Sequence, residues 1–338
     1  QATEWYATNK PSCISQSGAP IVHHKNGYQA FRAIMSLSAI TGNYDVLGGN
    51  FPVGETYSHQ WAGFETREHE FTHATKPKGA PPRIGDGAFP LWAHFMDECQ
   101  MTDLVRQIGE GTPYPVKAVM AFGLNHRMFP EPHKVLEAVD RLDFVTSAEL
   151  FMTETCRHSD IVLPACTSFE REEFKVYPGG FATYIKPVIA PLHSARPDST
   201  IIRELADALD LDDPLLRSGY ENCVRWMLSD CELDLDDCIR EDMPVKVPDA
   251  KPFVPGAYTA RGYATPTGKF EIYSTSIERY APGLDPLPTY TPPWDGADRQ
   301  AYPMVLSVGA RLPFALHSRM HDVPWTRSLR PDPMVDMN

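Results

Sequence analysis

Long apolar runs are missing from this sequence. No stretch of about 18 apolar residues occurs anywhere in its 338 residues, which excludes a membrane-spanning helix. A cationic surplus is missing as well. Lys and Arg total 31 against 44 Asp and Glu, for a net charge of −13. Such a surface repels phosphate backbones, so nucleic acid is excluded as a partner. The seven cysteines, at 13, 99, 156, 166, 223, 231 and 238, contain no C-x-x-C pair. From their odd number and spacing neither a disulfide framework nor a zinc or iron–sulfur motif can be read. Neither G-x-G-x-x-G after a strand nor G-x-x-x-x-G-K-[ST] occurs, which argues against a nicotinamide dehydrogenase and a P-loop enzyme. No Ser-His-Asp or nucleophile-elbow pattern stands out.

What is present is an ordinary globular composition, 42% hydrophobic and 22% charged, with an unusual 32 prolines. That many prolines imply long ordered loops on a larger body. Residues 28–41 read as a helix with Phe31, Ile34, Met35 and Ala39 on one face, stopped by Gly42-Asn43. Residues 50–110 read as an irregular, aromatic-rich insertion. Between 113 and 165 short apolar segments alternate with helical ones. A strand is expected at Val116–Phe122, a helix near 131–141, a strand at Phe144–Ser147, a helical turn near 153–158 and a strand at Ile161–Leu163. This alternation predicts an α/β fold with a doubly wound parallel sheet, of the kind that binds dinucleotides. A helix over 199–210 follows, with Asp198 at its N-cap, then a helix and an acidic turn within 219–240. Residues 244–300 are proline-rich and extended, with a strand expected at Phe270–Tyr273, and another opens at Met304–Val308. The expected division is an α/β domain over 1–215, a connecting region over 216–300 and a third region over 301–338. Gln1 is not an initiator, and the chain stops at Asn338 just as a new region opens. Both ends are therefore expected to be cut points, and the compartment, prokaryotic cytoplasm or periplasm, stays open.

In a parallel α/β sheet, ligands bind beyond the carboxyl ends of the strands. Asn125 follows the first strand there and Glu149 the second. A carboxylate in that place suits ribose hydroxyls, although an Asn in such a turn is most often a turn residue. His69-Glu70-Phe71-Thr72-His73 matches H-E-x-x-H, which on a helix would hold zinc beside a general base. The segment is short, polar and bounded by prolines, so a zinc hydrolase is the weaker reading. His23-His24, Cys156-Arg157-His158 and the Cys223/Cys231/Cys238 series have no ligand spacing of a known metal geometry.

The stretch Phe151-Met152-Thr153-Glu154-Thr155-Cys156 … Ser159-Asp160-Ile161-Val162-Leu163-Pro164 … Phe169-Glu170-Arg171-Glu172 resembles a signature of the molybdopterin oxidoreductase, or dimethyl sulfoxide reductase, family. Asn26-Gly27-Tyr28-Gln29, Thr41-Gly42-Asn43, Gly48-Gly49-Asn50, Ala195-Arg196-Pro197-Asp198 and Thr265-Pro266-Thr267-Gly268-Lys269-Phe270-Glu271 follow in the family's order. The region from Tyr302-Pro303 through Arg319-Met320 is similar to the start of its C-terminal β-barrel.

The resemblance implies molybdenum or tungsten held by a bis-molybdopterin guanine dinucleotide cofactor. By motif, Asn125, Glu149, Arg171 and Asp198 fall where the family contacts a guanine nucleotide, and Gly309, Arg311, His317 and Ser318 on the barrel-domain loop near pterin and phosphate. The family's cysteine motif for a 4Fe-4S cluster and its metal-ligand segment are absent, and His23 stands where a glutamine is commoner. The resemblance thus implies a fragment that contributes part of the cradle. Its partners would be the N- and C-terminal parts of the same enzyme, a small-molecule substrate and an electron-transfer protein carrying iron–sulfur centres. Alone it would be inactive. A non-catalytic cofactor-binding module of a split enzyme is the alternative.

Overall fold

The structure, a computed structural model, describes residues 1–15, 21–23, 26–51, 64–72, 74–177, 180–241, 243–247, 254–292, 296–306, 320, 323–332 and 334. Three strands, β1 (Ala118–Phe122), β2 (Phe144–Glu149) and β3 (Ile161–Pro164), form a parallel sheet in the order β1-β2-β3. Parallel neighbours need a crossover, and here helices supply it. Pro132–Val139 lies between β1 and β2, and the short turn Glu154–Arg157 between β2 and β3. The first crossover helix opens on Pro132, whose missing N–H costs nothing at a helix start. It buries Val135, Ala138 and Val139, an i, i+3, i+4 stripe. The α/β class with a parallel sheet is as expected from the sequence.

Among the described residues one face of the sheet is well covered and the other, apart from Ala148, only partly. Val145, Ser147 and Ala121 share one face and are buried beneath the crossovers. On the other face Met120, Phe122, Phe144 and Ile161 stand in register, each between 38 and 45% exposed. Parallel sheets normally have both faces covered.

A second sheet was not anticipated. β4 (Glu173–Tyr177), β5 (Phe181–Ile185) and β6 (Val245–Lys246) pair antiparallel in sequence order. Phe64, Ala182, Tyr184, Val224, Leu228, Leu235, Cys238 and Val247 form its core. That core joins the hairpin to the helices Tyr220–Met227 and Leu235–Arg240, which flank the acidic turn where the sequence predicted one helix. Within the 50–110 insertion, helices form at Pro90–Met96 and Leu104–Glu110.

The helix at 28–41 is present as Gly27–Ile40. Its polar side clamps the proline-rich tail. Gln29 Nε2 donates to the carbonyls of Asp285 (2.7 Å) and Leu287 (3.2 Å), and Arg32 to those of Ile272 (2.9 Å) and Pro286 (2.8 Å). This clamp explains one correction. Phe270–Tyr273 is not a strand, because its Ile272 carbonyl goes to Arg32 and the next amide, Ser274, to Pro286. Met304–Leu306 is likewise not a strand, and the rest of that segment lies outside the described residues. Two buried asparagines brace the N-terminus. Asn43 Oδ1 accepts from Ser12 N (3.0 Å), while Asn50 accepts from Ile14 N (3.0 Å) and donates to its carbonyl (2.9 Å).

Candidate functional site at the carboxyl rim of the parallel sheet

Backbone pairing sets four chain segments side by side along the carboxyl rim. Gly123 N donates to Ala148 O (3.0 Å), Ala165 N to Glu149 O (3.1 Å) and Cys166 N to Arg196 O (3.1 Å). A parallel bridge, Ala165↔Arg196, continues the row beyond β3. The segments after β1, β2 and β3 and the start of the Asp198–Ala208 helix therefore share one edge. Asn125, Glu149, Cys166 and Asp198 follow one another along it.

Asn125 Oδ1 caps the 3-10 turn His126–Met128 by accepting from Arg127 N (3.1 Å). Its Nδ2 has no partner among the described residues. The turn role therefore leaves the Nδ2 donors unused. Glu149 is half-buried and accepts only from its own neighbour, Leu150 N (2.7 Å), among the described residues. Asp198 requires a correction. Pro197 holds the N-cap position, and Asp198 is the first helical residue, exposed, with no hydrogen-bond or ion-pair partner among the described residues. A proline cap offers no side-chain acceptor, and the Asp198 carboxylate makes no cap bond in its place.

Arg171 stands on a braced turn. Glu170, buried, accepts from Thr167 Oγ1 (2.6 Å), Thr167 N (2.8 Å) and Leu192 N (2.7 Å). The Thr167 hydroxyl first, then the two amides, hold its carboxyl below the usual range. Arg171 itself is only loosely engaged, with Nη2 3.3 Å from Glu173 Oε2. Burial pushes the Cys166 thiol upward, the charges of Glu170 and Asp198 push it further, and Arg171 opposes them. The backbone sets the placement: Cys166 pairs with Arg196 two residues before Asp198, and Arg171 follows the Thr167–Glu170 turn that Cys166 leads into. The structure thus brings Asn125, Glu149, Arg171 and Asp198 to one edge. Gly309, Arg311, His317 and Ser318 lie outside the described residues.

Sequence reasoning overlooked His126, Thr155 and Glu154. His126 is 4% exposed and joins the loop after β1 to the loop after β2. The signal was faint: one histidine among twelve, with its partner 29 residues away.

The H-E-x-x-H segment does not build a metal site. Only a four-residue 3-10 turn, Glu68–Phe71, forms, and Thr72 is extended. The helix that would align two imidazoles is therefore absent; His73 lies outside the described residues. Arg67 engages Glu70 at 2.6 Å and Asp213 at 2.7 Å, so the supposed general base is committed to an ion pair. No cluster of three or more His, Cys, Asp or Glu able to hold a metal occurs among the described residues.

The class is that of a parallel α/β sheet whose carboxyl edge carries carboxylates, an amide and an arginine, without a glycine fingerprint. The particular family follows from comparison. The molybdopterin oxidoreductase family model matches residues 7–208, and the chain belongs to that family. A probable oxidoreductase, YoaE, of Bacillus subtilis is 30% identical over 298 residues, covering 85% of this chain and 39% of its own length. A trimethylamine-N-oxide reductase of Pasteurella multocida is 26% identical over 300 residues, covering 78% of this chain and 35% of its own. The solved acetylene hydratase of Pelobacter acetylenicus superposes with a TM-score of 0.73 at 23% identity, over 97% of this chain and 48% of that one. The chain spans between one-third and one-half of the length of these relatives.

Proposed function

We propose that this chain is one section of a longer molybdenum or tungsten oxidoreductase and that its sheet rim holds part of a molybdopterin guanine dinucleotide. The observation that carries this reading is the row of polar groups on one edge that keep unused donor or acceptor capacity. Guanine and ribose present N–H and O–H donors, and only acceptors can satisfy them. Glu149 and Asp198 are carboxylates with acceptor capacity to spare: among the described residues Glu149 takes one bond, from Leu150 N, and Asp198 none. A diphosphate needs donors, which the loosely held Arg171 and the Asn125 amide supply. The donor set therefore fits a guanosine diphosphate tail.

The bound cofactor would supply the redox chemistry, electron or oxygen-atom transfer to a small substrate at the metal. This chain's residues bind and orient the nucleotide end. A second layer over the exposed Met120, Phe122, Phe144 and Ile161, and the remaining half of the cradle, would come from the rest of the polypeptide. A 4Fe-4S cluster and an iron–sulfur electron-transfer partner belong to that same proposal, as do the three-part division at 215 and 300 and the cradle roles of Gly309, Arg311, His317 and Ser318. On this reading the 338-residue section is inactive by itself.

The test is acid release of nucleotide from the full-length protein. Wild type is expected to yield about two GMP per metal. Glu149→Gln combined with Asp198→Asn is expected to lower the GMP and metal content about tenfold, as two charge-assisted hydrogen bonds are lost. Undiminished GMP in that variant, with the protein still folded, would overturn the assignment.

A further inference from the structure

The cradle reading uses Asn125 but leaves its buried neighbour unexplained. His126 is enclosed by a hydrogen-bond network whose directions can be worked out. Its main-chain N–H donates to Thr155 Oγ1 at 3.1 Å, and its ring Nδ1 lies 3.0 Å from the same oxygen. A hydroxyl can accept twice but donates once, and among the described residues Nδ1 is the only acceptor within reach of the buried Thr155 proton. The Thr155 proton therefore goes to Nδ1, which must be bare, and the ring proton sits on Nε2. Nε2 lies 3.4 Å from Glu154 Oε2, which Arg127 Nη2 holds at 2.7 Å. The network runs on into β2. Ser159 Oγ donates to Thr155 O (3.1 Å), so Ser147 Oγ donates to Ser159 Oγ (2.7 Å). Thr155 and Ser147 are both buried.

The loop carrying Asn125 is thus fastened to the loop after β2, which carries Glu149's end of the rim, through a neutral imidazole. A second ring proton would arrive at Nδ1, facing a hydroxyl that already points its own proton there. The Thr155–Nδ1 bond would have to break, or reverse and leave the buried Thr155 proton without an acceptor, a cost that favours opening. The charged groups around His126 are Glu154, which favours protonation, and Arg127 and His158, which oppose it; burial outweighs all three and keeps the ring below the usual histidine range. His158 is itself paired with Asp140 at 2.6 Å. The Pro132–Val139 helix, packed against the turn, carries His133, Lys134 and Glu137 on its exposed side.

We propose that His126 is a positioning residue that, as the neutral imidazole, locks the Asn125 loop in the geometry that grips the nucleotide and releases it when protonated. This rests on the cradle reading for its ligand, but not for the lock itself. Two measurements on the full chain separate them. The first is amide hydrogen exchange over residues 123–128, corrected for intrinsic rates, between pH 5 and 8. Wild type is expected to lose about tenfold in protection as pH falls below about 6.5, the ordinary histidine range. His126→Gln, whose amide can still bond Thr155 but does not titrate, is expected to keep most protection with a flat profile. A flat wild-type profile, or a His126→Gln profile that still slopes, overturns the lock.

The second measurement is GDP titration by calorimetry over the same range. The expected affinity falls about tenfold on acidification in wild type and less than twofold in His126→Gln. Equal pH dependence in both overturns the positioning role. If GDP does not bind at pH 8 while the exchange profile behaves as expected, the cradle reading fails and the lock stands.

Discussion

Adjacent residues on one strand should respond to truncation in opposite ways. In β2, Val145 is 2% exposed on the well-covered face, whereas Phe144 is 43% exposed on the partly covered one. Val145→Ala removes two methyl carbons, about 1.6 kcal/mol of transfer at ~0.8 kcal/mol each. The cavity left behind adds roughly 1 kcal/mol at about 24 cal/mol per Å³. The expected loss is therefore about 2.5 kcal/mol. Phe144→Thr removes a larger side chain but gives up only its partial contacts, and threonine suits a strand, so about 1 kcal/mol is expected. Urea denaturation followed by circular dichroism measures both. A fluorescent dye that binds exposed apolar surface should also lose signal in Phe144→Thr and not in Val145→Ala. If Phe144→Thr costs more than Val145→Ala, the partly covered face is fully covered within this chain, and the inference of a missing second layer fails.

Three further outcomes follow from the same reasoning. Asn50→Ala strips both backbone groups of the half-buried Ile14 of their partners and should cost about 2–4 kcal/mol, read as a lowered urea midpoint. Glu170 has a lowered carboxyl pKa in the folded state, so its contribution is present above the ordinary carboxylate range near 4.3 and is lost as pH falls through the folded value. The acid limb of a stability–pH series should therefore be shallower in Glu170→Gln than in wild type. In the native state an aromatic disulfide reagent should modify the exposed Cys13 and Cys99 first, while the buried Cys156, Cys166 and Cys238 react only on unfolding. Burial raises the Cys238 thiol to about 11, which deepens its protection.

The parallel unit was legible because its signals are local. Each strand is a short apolar run closed by turn residues, and β1, β2 and β3 formed where those runs lie. The β4–β5 hairpin had a local signal too, alternating segments around Pro178-Gly179-Gly180, which the family motif overshadowed. Two-residue β6 had none, since it exists only where β5 offers an edge. Phe270–Tyr273 has the composition of a strand, yet Arg32, some 240 residues away, takes its Ile272 carbonyl. Local propensity cannot register a competitor at that distance.

The candidate site divides in the same way. Asn125 and Glu149 were found from their places at strand ends, and the structure keeps them on one rim. Arg171 and Asp198 came from the family motif, and the expected N-cap role of Asp198 failed because Pro197 takes that position. His126 and Glu170 are defined by burial and by partners across loops, which neither periodicity nor spacing encodes.

The most direct test of the nucleotide cradle is a crystal structure of this chain with GDP. Density for the guanosine is expected along the edge formed by Asn125, Glu149, Arg171 and Asp198, with ribose or guanine donors within hydrogen-bond distance of the two carboxylates. GDP bound elsewhere, with those carboxylates facing solvent, would contradict the account.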